Sequence, residues 1–186
     1  MAAPIEIQTA SVSVIKAALP ELATCKEYAG EFSAGELQRA SVLAPAVLVA
    51  CLGGTRVGEV DDGGVDWMYR FVAYCMVRGV IDRNHRAGGA LGLASAVIAA
   101  IDKKRFGLTG VWPAKVTRME NLYAEAWDKA SIALWAVTWE QQARIAAVED
   151  WVSGVRPEEI YLGFAPEIGA AHEADYVKVW PNDDRS

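Results

Sequence analysis

Gly53 and Gly58 stand four residues apart directly after an apolar run, the spacing that opens a phosphate-binding loop. That chemistry next needs a Lys to reach the phosphates and a Ser or Thr to hold magnesium, but the chain continues with Glu59 and Val60, and a carboxylate there repels phosphate. His172-Glu173 begins like the helix of a zinc protease, in which a second His one turn on completes the metal's face. Tyr176 occupies that position. Glu59, Asp61 and Asp62 offer oxygens to a hard cation, yet the ligands are too few and lack the spacing of a calcium loop. His85 lies among Arg83, Asn84 and Arg86, with no serine, cysteine or carboxylate partner that the sequence places beside it. Cys25, Cys51 and Cys75 are odd in number and far apart, which favours buried small hydrophobes over a disulfide framework or a zinc knuckle. No catalytic, cofactor or metal constellation is expected.

The elements that would position these residues follow from periodicity. In Val65 to Arg78, alternate residues give an apolar face of Val65, Trp67, Tyr69, Phe71, Ala73, Cys75 and Val77. The opposite face, with Asp66, Met68, Arg70, Val72, Tyr74, Met76 and Arg78, is mixed. At about 3.3 Å per residue this strand spans a small domain, so it is expected at the centre, with neighbours on both edges and a cover on its apolar face. The apolar run 46–52, introduced by Pro45, predicts an adjacent strand buried on both faces. Between the two strands, Gly53 to Gly64 with Asp61-Asp62 reads as a flexible, projecting acidic loop.

Ile7, Ala10, Val14, Ile15 and Ala18 recur at helical spacing before Pro20, predicting a first helix over 7–19. Residues 24–29 suit an edge strand. Residues 33–43 suit a short helix or loop, with Ser33 and Glu36 at capping-box spacing. A second helix carries Ala87, Ala90, Leu91, Ala94, Val97, Ile98 and Ile101 on one stripe, with Asp82 or Asn84 as cap and Lys103, Lys104 and Arg105 at its end. Its reverse face of Gly88, Gly92, Ser95, Ala96 and Ala99 is small and barely polar, which predicts close packing against the first helix or another subunit. Residues 114–127 and 131–143 read as a hairpin joined by Asp128-Lys129. In its second strand Ala133, Trp135, Val137 and Trp139 share one face, and Ile132, Leu134, Ala136 and Thr138 the other. A short helix is expected near 147–152. The tail beyond it carries large apolar residues, including Tyr161, Leu162 and Phe164, between prolines and without sustained period. Such a segment is expected to be an extended arm docked on its own domain or a neighbour.

These readings define an α+β fold: a single mixed, largely antiparallel sheet of four to five strands with two main helices packed on it, in a domain over 1–146. A C-terminal extension or docking arm covers 147–186. A net charge of −6 argues against a surface that grips nucleic acid or an anionic membrane. The longest apolar run, 43–52, is too short to span a bilayer, and the opening MAAPIEIQ lacks a basic leader region, so a soluble product of the cytoplasm is expected.

Taken in order, IKAALPEL, LAPAVLVACLGG, WMYRFVAYCMVR with the helix after it, IALWAVTWE and EEIYLGFAPEIGAAHEADYV resemble the tail terminator or head-to-tail joining proteins of Mu-like bacteriophages. The resemblance covers nearly the whole chain and rests on packing patterns. It implies a virion protein made in the host bacterial cytoplasm and placed in the neck, at the head-proximal end of the tail. There it would form a hexameric ring on the tail tube protein, meet the head–tail connector protein and let phage DNA pass without specific binding. It implies no cofactor and no catalytic residue. The interface residues expected are Gly92 and Ala96 on the second helix, Asp61 and Asp62 in the glycine loop, and Tyr161, Leu162 and Phe164 in the tail. A head-completion connector and a small enzyme of unknown type are the competing readings.

Overall fold

The computed structural model describes residues 3–29, 42–59, 64–79, 82–122, 124–145, 160–162 and 176–180. The chain divides into two compact units, Met1–Ala147 and Val148–Ser186. In the first, chain order is α1 (Pro4–Ala18), β1 (Thr24–Glu27), β2 (Ala46–Glu59), β3 (Val65–Arg78), α2 (Arg83–Ile101), β4 (Lys115–Asn121), α3 (Glu125–Lys129) and β5 (Ile132–Ile145). The five strands form one sheet in the order β1-β2-β3-β5-β4. β1 runs parallel to β2 and every other pair is antiparallel, so the fold is a mixed-sheet α+β fold as the periodicity predicts. The helix or loop expected over 33–43 and the helix expected over 147–152 lie outside the described residues, apart from Val42 and Leu43.

β3 is the central strand. Its register places Val47 opposite Cys75 and Val49 opposite Ala73 on one side, and Phe71 opposite Trp139 and Ala73 opposite Val137 on the other. These residues share the face under α1 and α2, where Ile7, Ile15, Ala94, Val97 and Ile101 are fully buried against them. The opposite face is apolar at one end, where Leu48, Val72, Tyr74, Met76, Leu134 and Ala136 meet Val42 and Trp127. Cys25, Cys51 and Cys75 are free thiols on the helix-covered face, closer in space than their sequence spacing suggests.

Local chemistry sets the element ends. Pro4 opens α1, where the Ala3 N–H donates to Glu6 Oε2 at 2.6 Å. The buried Gln8 side chain donates to Val49 O at 2.7 Å and Tyr28 O at 3.2 Å, fastening α1 to β2 just where β1 ends. Asp82 caps α2 by accepting from Asn84 N.

Four expectations need correction. β2 continues through Glu59, so residues 53–59 are strand and not loop. Two register shifts, at Cys51/Gly53 and Arg56/Gly58, absorb the glycines, and Gly53 takes φ 111° at the first. The buried stripe of α2 is Arg86, Ala90, Ala94, Val97, Ala100 and Ile101, while Ala87 and Leu91 face out. The hairpin does not turn at Asp128-Lys129. β4 stops at Asn121, and the short α3 carries Trp127 onto the second face of the sheet. Finally, the tail is not wholly an unpaired arm: in the second unit β6 (Ile160–Leu162) and β7 (Val177–Trp180) form an antiparallel two-stranded sheet.

Phe71 and Trp139 stack at 5.4 Å between centroids and have no exposed surface. Phe71→Ala removes one half of that stack and leaves a cavity, so it should destabilise the protein by about 3 to 5 kcal/mol. Chemical denaturation checks this, and a loss below 1 kcal/mol would show that the site collapses around the smaller side chain.

Candidate functional site

The described polar groups are arranged as structural staples. Asp66 on β3 faces Arg144 on β5 in direct register, accepting from Arg144 Nε at 2.8 Å and Nη2 at 3.2 Å, and from Gln142 Nε2 at 3.1 Å. The Arg144 guanidinium also lies 5.4 Å over the Trp112 ring. Arg86, buried on α2, donates to Asp128 of α3 at 2.8 Å, with Arg83 3.7 Å from the same oxygen. The sequence shows each charge but not its register partner, so neither pair is legible before folding. Gln141 is fully buried and donates to Trp112 O at 2.9 Å and Lys104 O at 3.2 Å, holding the α2–β4 connection against β5.

His85 does have a carboxylate neighbour, contrary to the sequence reading. Its Nδ1 lies 2.9 Å from Asp82 Oδ2, one turn away, and both side chains are more than half exposed. The pair belongs to the helix cap, and the His85 contact followed by the Asn84 N–H holds the Asp82 carboxyl below its usual range. Burial pushes the Cys75 thiol up to about 12, so it packs as a small apolar group. Gly53 and Gly58 lie within β2 and form no phosphate-cradling turn.

The residues expected to meet partners fall on three separate places. On α2, Gly88, Gly92, Ser95 and Ala99 are exposed and Ala96 is half-buried. A Cβ built at Gly88 or Gly92 meets nothing within 4 Å, so α1 does not fill that space. Asp61 and Asp62 lie outside the described residues, but the strand leading to them borders an open groove of about 390 Å³ lined by Leu52, Gly53, Thr55, Met68, Arg70 and Glu140. Tyr161 is 49% exposed on β6, Leu162 follows it in the same strand, and Phe164 lies outside the described residues. Among the described residues, no helix is long and apolar enough to cross a membrane.

The family model described as Bacteriophage Mu, Gp37 matches residues 5–143, from the first turn of α1 to the last residues of β5, and the chain belongs to that family. The resemblance to proteins of Mu-like phages read from the sequence therefore holds. Among solved structures, a chain titled "Virion of native gene transfer agent (GTA) particle" is similar, with a TM-score of 0.48 and 14% identity over 75% of this chain and 95% of that one. No curated protein matches the sequence.

The Asp66 staple gives a pH test. Hydrogen bonding from Arg144 holds the Asp66 carboxyl below its usual value. A carboxyl depressed on folding stabilises the protein above its unfolded pKa, and that contribution disappears as pH falls through the folded value. Wild type should therefore exceed Asp66→Asn in Tm at neutral pH, and the two curves should converge below about pH 4. A gap unchanged down to pH 2 would show that the Asp66 charge contributes nothing to stability.

Proposed function

We propose that this protein is a structural component of a phage virion that caps the completed tail tube and joins the tail to the head connector as a hexameric ring. The observation that carries the reading is the family match across the whole α+β unit. The geometry supports it in a specific way. A ring subunit needs two outward surfaces besides its core, and the α2 small-residue face, the groove beside the β2–β3 tip and the apolar tail supply them. Heterologous contacts of this kind generate cyclic rings where the rotation between subunits closes. Six copies, each at −6, repel the DNA that passes through and so let it slide. The ring sits in the neck, with the tail tube protein on one face and the connector on the other, and it uses no cofactor.

In this reading the segment after Gly154 crosses to an adjacent subunit or the next ring and locks the joint. Burial of Tyr161, Leu162 and Phe164 would contribute about 1.5 to 3 kcal/mol for each side chain. Truncation after Gly154 should leave the first unit folded, since all five strands of its sheet and its helices precede that point. In an infected cell the truncated gene should yield DNA-filled heads and separate tails by electron microscopy. Normal joined particles from the truncated gene would overturn the role given to the tail.

A further inference from the structure

Charge is divided unevenly between the two units. Residues 148–186 hold nine carboxylate side chains against Arg156, Lys178 and Arg185, a net −6, while residues 1–147 hold fifteen acids and fifteen bases and are neutral. The whole acidity of the chain therefore belongs to the second unit.

Among the described residues of the first unit, the turn at the end of α2 carries three consecutive cations. Lys103, Lys104 and Arg105 are consecutive and exposed, and among the described residues none of the three side chains makes an ion pair. The turn is held rigidly. Lys103 N donates to Ala114 O and Ala114 N to Lys104 O, both at 2.8 Å, and Gln141 Nε2 reaches Lys104 O at 3.2 Å. Phe106 and Leu108, just beyond, pack against the main core. Lys103 takes φ 61° at the position past the helix end where glycine is the unstrained choice. A favourable interaction of cations with the helix C-terminus accounts for positive charge near this point.

We propose that the Lys103–Arg105 turn of one subunit receives the acidic 148–186 segment of a neighbouring copy. The inference rests on the reading that the chain assembles with copies of itself, and it names the surface that the tail meets. A second copy is the favoured occupant because the same chain carries a cluster of three cations on one unit and a net charge of −6 on the other. A neutral first unit with one basic turn makes a poor tract for a phosphate backbone, which binds where several cations line a path.

The test uses full-length chains. In variant one, Lys104→Glu and Arg105→Glu reverse the turn; in variant two, Glu158→Lys and Glu159→Lys reverse the acidic pair directly before β6. Each alone should assemble about tenfold more weakly than wild type by light scattering at low salt, since a few exposed ion pairs are lost and like charges face each other. An equimolar mixture should recover assembly, because each copy then offers the charge that the other needs. A milder pair, Lys104→Ala with Arg105→Ala, should weaken assembly less and leave the thermal midpoint unchanged. If wild type assembles and variant one assembles equally well, the turn is not the receiving surface and only this inference fails. If the mixture stays unassembled while one chain carrying all four changes recovers, the contact lies within a subunit and the proposal is overturned. Loss of DNA retention by variant one with assembly intact would also overturn it in favour of phosphate. A wild type that stays monomeric at all concentrations would defeat the ring reading itself.

Discussion

Phe71 and Trp139 sit at directly opposed positions on β3 and β5, stacked and out of contact with solvent, and the unit is organised to keep that pair dry. The two helices cover this face of the sheet because it carries the largest buried side chains, and their own small buried residues, Ala90 and Ala94 on α2, allow the helix to approach closely. The indole Nε1 of Trp139 is buried without a hydrogen-bond partner among the described residues. An unpaired buried donor costs about 1 to 3 kcal/mol, so the apolar area and ring contact of this tryptophan must outweigh that loss. Among the described residues, Gln8, Ser11, Arg86 and Gln141 are the buried polar or charged side chains. Gln8 and Gln141, both buried, tie α1 and the α2–β4 connection to main-chain carbonyls.

How much of this was legible in the sequence depended on whether the deciding contact was local. β3 was legible along its full length because strand geometry places every second residue on one side, and both faces of β5 followed from the same rule. β2 was only half legible. Its glycines imitate a loop, and what makes 53–59 a strand is pairing with 65–70, a partner that local composition does not reveal. The buried stripe of α2 was displaced because Arg86, which by type belongs outside, is drawn in by Asp128 some forty residues later in the chain. Trp127 was assigned to a strand because an aromatic residue suits either state. Its place on α3 is set by the open end of the sheet that it covers.

The candidate site was legible to a different degree. The phosphate-loop and zinc-protease motifs each lack a named residue at a named position, so their incompleteness is legible in the sequence, whereas the Asp82 partner of His85 came from the structure. The small-residue face of α2 is expected from its sequence to pack closely on the first helix or another subunit, and the structure leaves Gly88 and Gly92 open within the described residues, so α1 does not fill that face. The groove beside β2 and β3 has a lining that mixes Leu52 and Met68 with Arg70 and Glu140. Such a mixture suits a protein surface with both apolar contact and paired charge more than a small-molecule pocket.

In the proposed function, a braced, neutral α+β unit with outward small and apolar surfaces works at the joint between tube and connector. The most direct measurement adds purified, labelled protein to separately isolated tails and filled heads that lack it, and locates the label by electron microscopy. Label is expected at the head-proximal end of the tail tube, followed by joining when heads are supplied. Label on the isolated heads, with tails bare, would contradict it and assign the protein to the head-completion side of the neck.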